Sequence, residues 1–262
     1  KLAPSSHFRP DILNEVVMQP FPLENEMAAH LMNLEQQGFT IVQDAIAPEL
    51  LKNLRIRFDE LVENHAEVPT AVCDEATGIV DLNRLYELDP IFEDLMDLPT
   101  VFPIAGAAME GDITLLGGSI GHYLPPRTPS NMAWHVDGDY LRFTYILDDL
   151  KEDGGGTGLI PGSHRAEGKV PEWFNSPSRQ AYNIPGMTRL AAPAGSFMIN
   201  YTRLWHTRTP NNSDRPRRII WQVFKHSHQL VTGNEALCLS QAYIERQTDP
   251  QRRVLVGLDQ RS

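Results

Sequence analysis

From about residue 112 onward the chain alternates side-chain character with a period of two, and few folds accept that pattern. Leu141, Phe143, Tyr145 and Leu147 alternate with Arg142, Thr144, Ile146 and Asp148, and Phe197, Ile199 and Tyr201 alternate with Ser196, Met198 and Asn200. Successive strand side chains point to opposite faces, so each run predicts a strand with two distinct sides. Residues 219–224 form a third such run. Short strands separated by Gly, Pro and Asn clusters point to an antiparallel sandwich or jelly roll, with helices packed on one outer face. Those helices are expected in the N-terminal third. Met27, Leu31 and Leu34 recur at helical spacing before Gly38, and Leu50, Leu51, Leu54, Phe58, Leu61 and Val62 follow Pro48. Between them Phe39-Thr-Ile-Val-Gln reads as a short strand.

A chain of 262 residues suits one domain of this kind, and neither a repeat nor a linker divides it. The expected organisation is a single domain over 1–262: a helical segment to about 110, a jelly-roll core over about 111–230, and a C-terminal extension over about 231–262. No run approaches the roughly 18 apolar residues of a membrane span, and the N-terminus lacks the order of a signal peptide, so a cytoplasmic location is expected. Cys73 and Cys238 cannot build a disulfide framework and read as buried small hydrophobes in a reducing compartment. The net charge of -11 argues against nucleic-acid or anionic-membrane partners. Its distribution is uneven. Residues 1–100 carry 19 acidic and 6 basic side chains, the rest 15 and 17, and Arg203, Arg208, Arg215, Arg217 and Arg218 fall within sixteen positions. Any anion site is expected there.

The chemistry is concentrated in Trp134-His135-Val136-Asp137. On a strand this spacing puts the imidazole and the carboxylate on one face. Two His and one carboxylate on one face of an octahedral iron leave adjacent positions open, the arrangement of non-haem Fe(II) oxygenases. His-x-Asp alone is weak evidence, because about 0.6 such pairs arise by chance in a chain of this composition. Further evidence lies in Leu204-Trp205-His206 and, eleven residues after the histidine, Arg217. The spacing predicts that His206 ends one strand of a hairpin and Arg217 begins the next, where its guanidinium fork suits a carboxylate remote from the metal. Arg217 and Arg218 point to opposite faces, and Arg217 is the inward one because it shares a face with Ile219, Trp221 and Val223.

Together His135-x-Asp137, His206, Arg217, the run Asp153-Gly-Gly-Gly-Thr-Gly-Leu-Ile-Pro161-Gly-Ser-His164 and Pro210-Asn211 resemble the phytanoyl-CoA dioxygenase family of Fe(II)/2-oxoglutarate-dependent oxygenases. The resemblance covers roughly residues 25–230. It implies a double-stranded β-helix (jelly-roll, cupin-like) core, with His135, Asp137 and His206 as metal ligands. It also implies Fe(II) as cofactor, 2-oxoglutarate as cosubstrate with its far carboxylate on Arg217, and dioxygen as co-reactant. No catalytic residue beyond the metal ligands is implied. The expected reaction is hydroxylation of an unactivated C–H bond of a small-molecule metabolite, with release of succinate and CO2; desaturation, cyclisation and epoxidation use the same cofactors. His122 and Thr144 occupy positions where the family places cosubstrate contacts, although Thr144 replaces a common aromatic. Arg208 stands where a small hydroxyl residue is common, and reads as a surface charge. Asp137 is a carboxylate where related halogenases have Gly or Ala, which disfavours halogenation.

Rival assignments exist for several of these residues. His226-Ser-His228 also shares a strand face but has no carboxylate beside it, and His65-Ala-Glu67 ends an amphipathic helical run. Ser163 and His164 read as loop-fixing residues after a glycine turn. Trp134 and Tyr140 flank the metal motif and are candidates to line the substrate pocket, or simply to pack. Arg127, Arg165 and Lys169, in irregular stretches beside the barrel mouth, favour an anionic or zwitterionic metabolite. Two readings of other classes remain: a non-catalytic jelly-roll metal- or ligand-binding protein, and a zinc hydrolase or isomerase using the same ligands.

Overall fold

The computed structural model describes residues 24–111, 113–130, 132–166, 169–175, 184–229 and 239–259. Two helices precede most of the strands. α1 (Glu24–Gln37) ends at Gly38, and α2 (Pro48–Glu63) starts at a proline, whose missing N–H is no loss in a first helical turn. β1 (Phe39–Val42) lies between them, where the apolar run places it.

β2 (Ala71–Asp74) and β3 (Ile79–Asn83) then form a hairpin inside the third of the chain that reads as helical. Four and five residues per strand are too few to show a period. Two short helices follow, α3 (Leu85–Leu88) and α4 (Phe102–Ala108). The later strands are β4 (Ile113–Leu124), β5 (Leu141–Ile146), β6 (Thr157–Leu159), β7 (Thr188–Arg189), β8 (Phe197–Tyr201), β9 (His206–Arg208) and β10 (Arg217–His226). α5 (Gln241–Arg246) and α6 (Pro250–Leu255) close the described chain, each capped by a side chain, Ser240 and Asp249 respectively.

Seven strands form one antiparallel sheet in the order β1-β8-β5-β10-β4-β3-β2, and three form a second in the order β7-β6-β9. This is a jelly roll whose sheets do not close into a continuous barrel. Alternation divides the large sheet. Leu141, Phe143, Tyr145, Phe197, Ile199, Ile220 and Phe224 face outward into the main core with Leu54, Phe58, Leu85 and Phe92 from the helical layer. Each such side chain contributes about 1.5–3 kcal/mol by leaving water. Ile146 and Met198 face the other way and meet Leu159, Leu190 and Leu204 from the small sheet. The space between the sheets is therefore lined by the alternate set: Arg142, Thr144 and Ile146 of β5, and Arg217, Ile219 and Trp221 of β10.

One expectation about the strands fails. His206 begins β9 rather than ending a strand, and β9 and β10 lie in different sheets, so they are not a hairpin. The connection crosses between sheets and is held by Asn211. This fully buried side chain donates to the carbonyls of Pro125 (2.9 Å) and Arg215 (2.8 Å).

Candidate metal centre

Two segments far apart in the chain build the site. The stretch carrying His135 and Asp137 is bound to the segment before and into β9 by main-chain bonds: His135 N–H to the His206 carbonyl (3.0 Å), His206 N–H to the His135 carbonyl (3.1 Å), and Asp137 N–H to the Thr202 carbonyl (3.0 Å). Behind His206, the Ser163 hydroxyl accepts the Trp205 N–H at 2.8 Å, while Gly162 N–H and the His164 ring donate to the carbonyls of Gln37 and Glu35 at the end of α1. Ser163 and His164 thus fix loops, and the Pro-Gly-Ser-His run ties α1 to the histidine strand.

One ligand atom from each of His135, Asp137 and His206 lies within 4.8 Å of the others, the sole such group among the described residues. His135 Nε2 is 3.8 Å from Asp137 Oδ1, and His206 Nε2 is 3.4 Å from Asp137 Oδ2. Each ring places its Nδ1 on a main-chain carbonyl, His135 on Ala133 (2.8 Å) and His206 on Leu204 (2.7 Å). That fixes the tautomer and leaves both Nε2 lone pairs for one ion, as ligating histidines require. His206 is 3% exposed, whereas His135 stands toward solvent. Burial pushes the His206 ring down, against the contact with Asp137. Burial would raise the Asp137 carboxyl, but His206, Arg142 and His135 together hold it far below the usual carboxylate range. A neutral His206 ring beside an ionised Asp137 is the protonation state a divalent cation needs.

Arg142 is the residue that sequence reasoning missed. Its guanidinium donates to Asp137 Oδ2, lies 3.2 Å from His206 Nε2 and stacks over Trp221 at 5.1 Å. The available signal was a cation on the second face of a strand whose other face is wholly apolar.

Arg217 is 4% exposed and points inward, donating to the Gly155 carbonyl at 2.8 Å, while Arg218 points outward to Asp148 and Asp59. Burial, reinforced by the charge of Arg208, pushes the Arg217 guanidinium down to about 9. His122 shares its face, bonded through Nδ1 to Asp81, and Thr144 is buried on the inner face of β5 opposite Trp221. Arg208, expected at the surface, is on the inner face of β9 with its Nε buried.

The flanking aromatics separate. Trp134 is 2% exposed, edge-on to Phe174 at 5.5 Å in a small core with Ile184, while Tyr140 lines a groove of about 230 Å³ with Tyr201, His226 and His228. The rings of His226 and His228 stack at 5.2 Å. His65 closes onto the Val62 carbonyl at the end of α2. Of the cations that suggested an anionic substrate, Arg127 pairs with Asp214 and Arg165 with Glu35, and Lys169 is exposed. Cys73 is unpaired and half-buried, and Cys238 lies outside the described residues. No described helix is long and apolar enough to cross a membrane.

A jelly roll that turns two imidazoles and one carboxylate toward a single point has the donor set of the 2-His-1-carboxylate oxygenases. Residues 34–219 match the phytanoyl-CoA dioxygenase (PhyH) family, and the chain belongs to it. It is thus an Fe(II)/2-oxoglutarate-dependent oxygenase, and the donor chemistry described above fits that metal. Solved structures agree in fold. The alpha-ketoglutarate-dependent epimerase SnoN from nogalamycin biosynthesis superposes with a TM-score of 0.63 at 16% identity, over 78% of this chain and 84% of that one. HygX from Streptomyces hygroscopicus, solved with nickel, 2-oxoglutarate and hygromycin B, gives 0.62 at 13% identity over 76% and 87%. EctD from S. alaskensis with bound Fe gives 0.66 at 17% over 79% of each chain. Comparison with curated proteins by sequence gives no significant match.

Proposed function

We propose that His135, Asp137 and His206 hold Fe(II), and that Arg217 receives the far carboxylate of 2-oxoglutarate with His122 and Thr144 lining the same interior. On this reading the enzyme hydroxylates an unactivated C–H bond of a small-molecule metabolite. The observation that carries it is the pair of Nε2 atoms converging on Asp137 with both Nδ1 atoms already committed. Bound Fe(II) with 2-oxoglutarate supplies the oxidising chemistry, in which the 2-oxo acid is decarboxylated to succinate.

The chain's own residues prepare the ground for this. The Ala133 and Leu204 carbonyls hold the imidazoles in one tautomer, and Arg142 keeps the carboxylate ionised and oriented. The buried fork of Arg217 offers a carboxylate two parallel donors away from bulk water. Tyr140, on the groove it shares with Tyr201, His226 and His228, is the aromatic residue assigned to the substrate side, while Trp134 packs in a small core. An anaerobic titration with Fe(II) and then 2-oxoglutarate tests the site. The visible charge-transfer band of a chelated 2-oxo acid is expected, and its absence with iron bound would overturn the cosubstrate assignment. Screening metabolites for coupled succinate formation under ¹⁸O₂ then tests the reaction: hydroxylation requires a product heavier by one labelled oxygen.

A further inference from the structure

The stretch that carries His135 forms no regular strand, yet its main chain is paired on both sides. His135 exchanges both main-chain bonds with His206, so the N–H and C=O of Trp134 point the opposite way, off the open edge of that pairing. Trp134 is 2% exposed, and buried main-chain groups need partners. One side chain serves both. The Asn175 amide accepts the Trp134 N–H at 2.7 Å and donates to the Trp134 carbonyl at 3.0 Å, standing in for a neighbouring strand. Asn175 ends a single 3₁₀ turn, Glu172–Asn175, and lies 41 residues further along the chain. Phe174 of the same turn stands edge-on to Trp134 at 5.5 Å and to Trp205 at 5.3 Å, the residues that precede the two ligand histidines. The clip reaches the metal site through one peptide unit. The Ala133 carbonyl that holds His135 Nδ1 and the Trp134 N–H that Asn175 accepts belong to the same planar amide, so the Asn175 bond fixes the plane that orients the His135 ring.

We infer that Asn175 is a positioning residue for the metal centre, holding the His135 imidazole in place by clipping the Ala133–Trp134 peptide. This rests on the metal reading above and adds to it a residue from outside both sheets. The test is anaerobic Fe(II) titration of the wild type, Asn175→Ala, Asn175→Asp and Phe174→Leu, with the melting temperature of each metal-free protein and the visible spectrum of each Co(II)-substituted one, which reports coordination geometry. Asn175 is itself exposed, so its truncation leaves no cavity. Asn175→Ala should weaken Fe(II) binding about 10- to 100-fold, the range for losing an outer partner of a metal ligand, and should change the Co(II) spectrum. Asn175→Asp keeps an acceptor for the Trp134 N–H and should recover most of the loss. Phe174→Leu loosens the same small core, so it should lower the melting temperature and leave affinity and spectrum as in the wild type. Wild-type affinity or an unchanged Co(II) spectrum in Asn175→Ala would overturn the inference and leave the metal reading standing. A loss as large in Phe174→Leu, or one that Asp does not recover, would also overturn it, because it marks general packing. A wild type that binds no Fe(II) would overturn both.

Discussion

His135 and His206 are joined main chain to main chain, each N–H donating to the other's carbonyl at 3.0 and 3.1 Å, with ring centroids 4.2 Å apart. The separation of the two imidazoles is therefore set by backbone pairing between remote segments rather than by packing around the rings.

Because that bridge does not depend on the side chains, the ligands can be altered without dismantling the fold. His135→Ala and Asp137→Asn are each expected to lower Fe(II) affinity by more than about 100-fold, since losing an outer partner alone costs 10- to 100-fold. Melting temperatures should stay within a few degrees of wild type. Metal content after gel filtration measures this, and stoichiometric iron in either variant would remove that residue from the centre.

Arg217 and Arg218 are neighbours with opposite tasks. Arg217→Ala should raise the 2-oxoglutarate concentration needed for half-saturation about 10- to 100-fold. Arg218→Ala should leave it alone and cost about 1–3 kcal/mol of stability, because the Arg218 side chain bonds Asp148 twice, at 2.9 and 2.5 Å, and Asp59 at 2.6 Å. Titration and urea unfolding on both variants would separate the roles, and the reverse outcome would exchange the inward and outward assignments.

Acid should weaken the metal-free protein before its carboxylates titrate. Burial lowers the pKa of His122, His164 and His30 from the ordinary value of 6.5, against smaller opposing effects from Asp81, the Glu35 carbonyl and Glu26 respectively. Below that value the unfolded chain takes up protons that the folded chain refuses, so stability falls as pH drops through about 6.5 toward the lowered folded values. Urea midpoints at pH 7.5 and pH 6.0 should show a decrease. A midpoint that holds or rises would contradict the buried neutral state of these rings.

Gly38 joins α1 to β1 with φ of +84°, and a Cβ there would lie 2.5 Å from His164 Nδ1 and 2.7 Å from Leu204 Cδ1. Gly38→Ala combines backbone strain with overpacking and should cost about 2–5 kcal/mol. Since Leu204 and Ser163 position the histidine strand, iron affinity should fall as well. Urea unfolding and metal titration check both, and a variant as stable as wild type would show that this junction yields.

The strand runs at 141–148, 196–201 and 219–224 were legible because a half-buried strand writes its two faces into alternate residues, and the direction of Arg217 followed from that parity. The His135-x-Asp137 pair was legible from its spacing alone: the stretch forms no regular strand and meets His206 through a single bridge. The β2–β3 hairpin was not, since strands of four and five residues have no measurable period, and the crossing from β9 to β10 looked like a hairpin because spacing along a chain carries no record of sheet membership. Arg208 and Arg142 mark the same divide. Their identities are in the sequence, but whether a guanidinium meets solvent or a carboxylate depends on which strands pair across the interior. By itself, then, the sequence determined which residue types could bind iron and a dicarboxylic acid and which strand faces they occupy. The tertiary structure decided which of them meet, because contacts between remote strands are fixed by packing and main-chain pairing that local pattern does not encode.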